Sequence, residues 1–309
     1  MSTNARHLAT ILANTPATPT PAPASTKLTC RACGERLDPI LADTRLHIGC
    51  VDPNPVSIVE ELRQLLIDHE AASARSMQVA IGPSEIGVPC DRRLGYRLHS
   101  TPTRPDSRVP WAPIQGTAIH TYLAALFTQV NTALGYERFM VEKRVWPDDM
   151  ISGSCDLYDT VHRRVRDWKL VGKTRSDIYR RKGPTPEYVV QAHLYGLGWE
   201  RAGYPVADVG IVFLPRDWDY DKAWEWTAPY DRDAAEAALD RLYRVMTLLS
   251  DLRVDDSPAL WAAVPAKPTD DCRYCPYYRP GQPADGTGCP GDPAAQQRRI
   301  DKFTTGLIA

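Results

Sequence analysis

Seven of the eight cysteines in this 309-residue chain fall into two groups with metal-ligand spacing, and this limits the available folds more than any other feature. Cys30-x₂-Cys33 and His47-x₂-Cys50 bracket one short segment. Cys90 stands far upstream of Cys272, Cys275 and Cys289, so a centre shared by those four must tie the start of the main domain to its end. The stretch around Leu8–Leu12 is too short, and lacks the basic-then-apolar layout, for a signal peptide. No apolar run approaches the roughly 20 residues that span a membrane. A cytoplasmic location and no membrane partner are therefore expected. Disulfides do not persist in that reducing compartment, so metal ligation is the reading for both groups. Cys155, in an apolar segment, reads as a small buried hydrophobe.

Composition breaks the chain into four parts. Residues 1–26 contain the run TPATPTPAPAST and read as a disordered Pro-rich tail. Residues 27–55 are too few to fold on an apolar core, and suit a closed Cys₃His module holding Zn²⁺ on Cys30, Cys33, His47 and Cys50. Coincidental cysteines in a loose tail are the alternative. Residues 56–80 hold a connecting helix, with Ile58, Leu62, Leu65 and Leu66 at helical spacing, and a linker. Residues 81–309 read as one mixed α/β domain. In it, Ile119, Leu123, Leu126, Phe127 and Val130 line one face of a helix over Gly116–Leu134. Strands are predicted over Arg138–Trp146, Ile151–Thr160 and Arg163–Val171 as an antiparallel meander. A helix over Pro186–Ala202, strands over Ala207–Leu214 and Ala223–Thr227, and a helix over Asp231–Ser250 follow.

The segment GSCDLYDTVHRRVRDWKL carries the chemistry. Strand alternation points Asp167 and Lys169 the same way, and a hairpin brings Asp156 alongside. Two carboxylates on one surface repel unless a cation lies between them, and hard divalent ions bind such oxygens. A bound Mg²⁺ would polarise a phosphate and acidify a water, with Lys169 stabilising the charge that develops. Taken alone, this segment serves equally well as two solvent-facing Asp residues with an ion-pair partner. Two further pieces add weight: Gly116-x₃-His120 at the start of a helix, and Gln191-x₃-Tyr195, whose side chains share a helix face.

In that order, G-x-x-x-H, G-x-x-D, D-x-K and Q-x-x-x-Y resemble the motifs of the RecB-like PD-(D/E)XK exonucleases, over about Ile81 to Cys289. The C-terminal cysteines and the Cys90-Asp-Arg-Arg segment resemble the iron–sulfur signature of CRISPR-associated RecB-like exonucleases and AddB-type nuclease domains, of a phage-encoded type. Thirteen residues between Cys275 and Cys289 exceed the usual interval there. The resemblance implies a restriction-endonuclease-like core, a mixed central sheet flanked by helices. It implies catalytic metal on His120, Asp156, Asp167 and the Trp168 carbonyl, with Lys169 assisting the nucleophile and Gln191 and Tyr195 close by. Mn²⁺ is an acceptable substitute for Mg²⁺ where an imidazole ligates. It also implies a [4Fe–4S] cluster on Cys90, Cys272, Cys275 and Cys289, for which a four-thiolate zinc site and unliganded buried cysteines are the alternatives.

Net charge is −1, yet the window Arg163–Lys182 holds nine Lys or Arg against two Asp. Arg164 and Arg166 are expected on the catalytic face. Lys173, Arg175, Arg180, Arg181 and Lys182 are expected in a loop at the mouth of the site, contacting DNA phosphates. The function that follows is a metal-dependent exonuclease on DNA, single-stranded or with a free end, in recombination, repair or replication, with recombination or replication proteins as partners. A non-catalytic DNA-end-binding scaffold and an endonuclease on the same fold are the alternatives.

Overall fold

Alternating segments separated by tight turns pair with their sequence neighbours, because closing a short loop costs little entropy. The computed structural model describes residues 29–36, 47, 49–50, 57–72, 81–104, 108–267 and 270–291; the tail expected over 1–26 lies outside them. Two compact units are present, one within Ala13–Met77 and Ser107–Val109, the other within Gln78–Asp106 and Pro110–Ala309. In the first, helix α1 (Ile58–Ala72) forms where the helical spacing predicts it.

The second unit runs α2 (Pro83–Ile86), α3 (Asp91–Leu98), α4 (Trp111–Leu134), β1 (Phe139–Val145), β2 (Gly153–Asp159), β3 (Arg164–Val171), α5 (Lys173–Lys182), α6 (Pro186–Arg201), β4 (Asp208–Pro215), β5 (Trp224–Pro229) and α7 (Arg232–Leu252). Its five-stranded sheet has the order β1-β2-β3-β4-β5. The expected meander β1-β2-β3 is antiparallel, β3 and β4 are parallel from Arg164↔Asp208 to Val171↔Pro215, and β5 returns antiparallel. It is a mixed α/β architecture, as expected.

Two elements depart from the sequence reading. Helix α4 begins at Trp111 rather than Gly116, with Pro110 at its N-cap and Pro113 in its first turn. Proline is tolerated there because a first-turn N–H has no intrahelical partner to lose. Residues 173–182, expected as a loop, form α5. Its charged sequence hides the pattern: only Ser176 and Tyr179 are buried, while Arg180, Arg181 and Lys182 in the last turn complement the negative end of the helix dipole.

Helices α6 and α4 cover the two faces of the sheet. Every residue from Gln191 to Trp199 is buried. One side packs Ala192, Tyr195 and Trp199 on Val165, Val209, Ile211 and Phe213 of the sheet. Leu194 and Leu197 join the cluster of Leu239, Leu242 and Val245 from α7. Close approach depends on Gly198, where a Cβ would lie 2.8 Å from Val145 Cβ. The opposite face packs Phe139, Leu157, Trp168 and Leu214 beneath Ile119, Leu123 and Phe127 of α4.

Candidate active site

Strands β2 and β3 pair only over Leu157↔Arg166 to Asp159↔Arg164. Beyond that they fork, and Asp156 and Asp167 stand at the crotch, 5% and 2% exposed. Asp156 Oδ2 accepts the backbone N–H of Trp168 at 2.6 Å, so the carboxylate satisfies a ladder donor that the separating strand no longer pairs. From α4, His120 Nδ1 lies 3.3 Å from Asp156 Oδ1 and 3.5 Å from Glu142 Oε1. Its Nε2 lies 3.3 Å from the Trp168 carbonyl.

Glu142 is the residue that the sequence reading missed. It occupies the β1 position between Val141↔Leu157 and Lys143↔Cys155, opposite Asp156, with φ +49. Left-handed backbone in a non-glycine residue within a strand is strained. The face alternation also resets here. Val141 and Leu157 lie in the α4-side cluster, whereas Val145 and Cys155, an even number of positions away, lie in the α6-side cluster. Strict alternation from Asp167 therefore could not have found Glu142; its signal was an acidic residue in the apolar strand FMVEKRV, opposite Asp156.

His120, Glu142 and Asp156 each offer a ligand atom, all within 4.8 Å of one another. Asp167 is not in that group. Its Oδ2 lies 2.6 Å from Lys169 Nζ, without hydrogen-bond geometry, so a buried carboxylate oxygen accepts no hydrogen bond. Burial and the charge of Asp156 push the Asp167 pKa up to about 6 against the pull of Lys169. Burial works against charge on His120, but Asp156 and Glu142 outweigh it and raise its pKa to about 10. A proton held between two carboxylates, beside a buried carboxylate oxygen whose close partner is Lys169, marks a place where a divalent cation fits.

The remaining predicted residues divide. Gln191 Nε2 donates to the Tyr195 hydroxyl at 3.2 Å, and both are buried. Burial and the Asp167 charge hold the Tyr195 hydroxyl well above its usual pKa, which places this pair within electrostatic reach of the carboxylates. Arg164 and Arg166 do not share the catalytic face. Side chains alternate with period two, so they lie with Trp168, not with Asp167 and Lys169. Arg166 is buried between Asp208 and Glu225, and Arg164 Nε lies 3.3 Å from Asp159. On α5, Arg180 donates to the Lys222 carbonyl at 2.6 Å and covers the Trp224 ring, whereas Arg175 lines a cleft beside the end of β3. Lys173 sits over Trp218, and Arg181 and Lys182 are exposed at the end of the helix.

The two cysteine groups differ in geometry. Cys30, Cys33, His47 and Cys50 converge, with all four ligand atoms within 4.8 Å. His47 Nδ1 lies 3.3 Å from Cys33 Sγ and its Nε2 lies 3.0 Å from the Arg36 carbonyl, a second hydrogen bond that orients a ligating imidazole. Burial opposes ionisation of Cys30, but the backbone N–H groups of Cys33, His47 and Ala32 bring its thiol down to about 6. Beside Cys30 and Cys33, Cys50 is pushed up to about 11. Cys90, Cys272, Cys275 and Cys289 instead surround a cavity of about 110 Å³. Among the described residues they form no group of three within 4.8 Å. Cys90 accepts from the Lys267 N–H at 3.4 Å; Cys289 accepts from Gly291 N–H at 3.5 Å and Arg92 Nη1 at 3.6 Å. Cys155 is buried and donates to the Leu157 carbonyl at 3.6 Å, as a packed thiol would.

No helix among the described residues is long and apolar enough to cross a membrane. No family model matches the chain, and no curated protein matches it. Its neighbours among solved structures include a phage-related exonuclease from Haemophilus somnus 129PT, with 15% identity over 47% of this chain and 74% of that one, at a TM-score of 0.36. They also include an alkaline exonuclease (LHK-Exo) from Laribacter hongkongensis, with 12% identity over 56% and 89%, at 0.37. A third, SSO0001, has 15% identity over 72% and 95%, also at 0.37. Superpositions this loose carry no residue roles from those proteins to this chain.

Proposed function

We propose that this protein is a metal-dependent nuclease that hydrolyses phosphodiester bonds from DNA ends, in recombination, repair or replication. One observation carries the reading: three ligand atoms of His120, Glu142 and Asp156 and the Trp168 carbonyl gather beside the buried Asp167–Lys169 pair. A bound Mg²⁺ or Mn²⁺ would supply Lewis acidity toward a phosphate oxygen and a water of lowered pKa. His120, Glu142 and Asp156 would hold it, with Asp167 and the Trp168 carbonyl as the further ligands that the resemblance implies. Lys169 carries the positive charge nearest to Asp167 and serves the attacking water or the charge building on phosphorus. Tyr195 keeps its proton at neutral pH and with Gln191 fixes the buried floor behind the carboxylates.

The cysteine geometry supports two different metals. Zinc–sulfur bonds of about 2.3 Å set thiolates roughly 3.8 Å apart at the corners of a tetrahedron, which suits the converging Cys30, Cys33, His47 and Cys50. Four thiols standing apart around a cavity suit a multinuclear centre, and a [4Fe–4S] cluster is the proposal for Cys90, Cys272, Cys275 and Cys289.

The test is cleavage of end-labelled linear DNA and of a circular single strand, with Mg²⁺, with Mn²⁺ and with neither. Metal-dependent loss of the linear substrate while the circle survives is the expected result. Cutting of the circle would make the protein an endonuclease, and no cutting under any metal would leave it a binding scaffold.

A further inference from the structure

We propose that the cleft bordered by Arg175, Arg216 and Tyr274 is a track for one unpaired nucleic-acid strand, leading to Lys169. The destination rests on the nuclease reading; the binding chemistry does not. The cleft has a volume of about 640 Å³ and is floored by Leu170 and Val171, the residues that follow Lys169 on β3. It opens at the carboxyl ends of β3 and β4, the parallel pair, where helices and loops diverge and leave room for a ligand.

Its walls carry the two kinds of group that a single strand needs. Arg175 on α5 and Arg216 after β4 are exposed, and neither makes an ion pair among the described residues. Arg93 on the facing wall lies 3.4 Å from Glu187, so its charge is already shared. Arg175 lies over the Tyr179 ring at 5.8 Å, a contact that leaves its charge without a carboxylate partner, so both guanidinium groups are open to phosphate. Tyr188 lies in the same cleft, its ring 5.0 Å from Lys169 Nζ, and so connects the track to the candidate active site. Tyr274 is 67% exposed, with the Arg273 guanidinium 4.6 Å from its ring. Exposed tyrosines beside arginines are stacking platforms, and they serve only bases whose faces are free. In a duplex those faces are covered by neighbouring pairs, so a recess with aromatic walls selects the unpaired strand. The wall that carries Pro89, Arg93 and Tyr274 is the segment that Cys90 and Cys275 anchor, which gives the cysteine staple a part in shaping the track.

The experiment is fluorescence anisotropy with the full-length protein, in buffer without added divalent metal. It uses a labelled oligothymidine, its duplex with oligoadenine, and a series of salt concentrations. Arg175→Ala/Arg216→Ala should weaken binding of the single strand by about tenfold or more. The same pair should flatten the slope of log affinity against log salt by about 1.4, at roughly 0.7 per phosphate contact. Tyr274→Ala should weaken the single strand by about tenfold and the duplex far less. Arg232→Ala, at the start of α7 and outside the cleft, should bind as wild type. Wild-type affinity in the Arg175/Arg216 variant, or equal losses for strand and duplex, would overturn the track. A protein that shows these losses but cuts no DNA keeps the track and loses the nuclease reading. One that cuts normally, with variants that bind normally, keeps the nuclease reading and loses the track.

Discussion

Asp156 and His120 both meet the backbone of Trp168: the carboxylate accepts its N–H at 2.6 Å, and His120 Nε2 stands 3.3 Å from its carbonyl. The fork between β2 and β3 is therefore held open by the groups proposed to bind metal. Asp156→Ala should cost stability as well as activity, since it leaves a buried N–H without a partner, worth about 1–3 kcal/mol. Asp156→Asn keeps an acceptor there, so its melting temperature should stay near wild type while cleavage is lost. Thermal melts of the two variants beside a cleavage assay separate the effects.

Asp167→Ala and Lys169→Ala should each abolish cleavage and leave DNA binding largely intact. They should differ in stability. Lys169→Ala leaves a buried carboxylate facing Asp156 without its counter-charge, and should destabilise the fold at neutral pH; Asp167→Ala removes that charge and should not. Near wild-type digestion by both variants would refute the assignment.

His120 binds its proton more tightly in the folded protein, at about 10, than a free histidine does at roughly 6.5. A raised pKa stabilises the fold below the unfolded value and loses that contribution as pH rises through the folded one. Metal-free protein should therefore lose more stability between about pH 6.5 and 10 than a His120→Asn variant does. Saturating Mn²⁺ should flatten the wild-type profile, because a cation takes the place of the proton, and calorimetry should record proton release on binding. Parallel profiles for wild type and variant would remove His120 from the cluster.

Glu142 sets function against stability. Glycine accepts φ +49 without the penalty that a side chain carries, roughly 1 kcal/mol. Glu142→Gly should raise the melting temperature and lower Mn²⁺ affinity, whereas Glu142→Gln should lower affinity with little gain in stability. If Mn²⁺ titrations of all three proteins coincide, Glu142 is not a ligand.

Anaerobically purified protein should be brown, with about four irons and four sulfides, and with zinc only at the converging N-terminal site. Cys275→Ala should remove the iron and the colour and lower stability, while Cys33→Ala should remove the zinc alone. Zinc at both sites without labile sulfide would leave a zinc-stapled chain.

The sequence by itself determined the parts whose signal is local. Helical spacing marked α4, α6 and α7, tight turns between β-rich segments forced the antiparallel β1-β2-β3, and ligand spacing grouped the cysteines. His120, Asp156, Asp167 and Lys169 stood out because they recur in a recognisable order. Tertiary structure alone decided what depends on registration between distant segments. Glu142 joins the candidate site because the β1–β2 register sets it opposite Asp156, where both strands reset their faces. Arg166 became structural because β4 and β5 bring Asp208 and Glu225 to it. Of the basic residues on α5, helical geometry turned Arg175 into the cleft and Arg180 onto Trp224, a division that a run of like charges cannot show. The separation of the C-terminal thiols around a cavity is likewise a product of packing: spacing along the chain names ligands, but only the folded chain sets the distances between them.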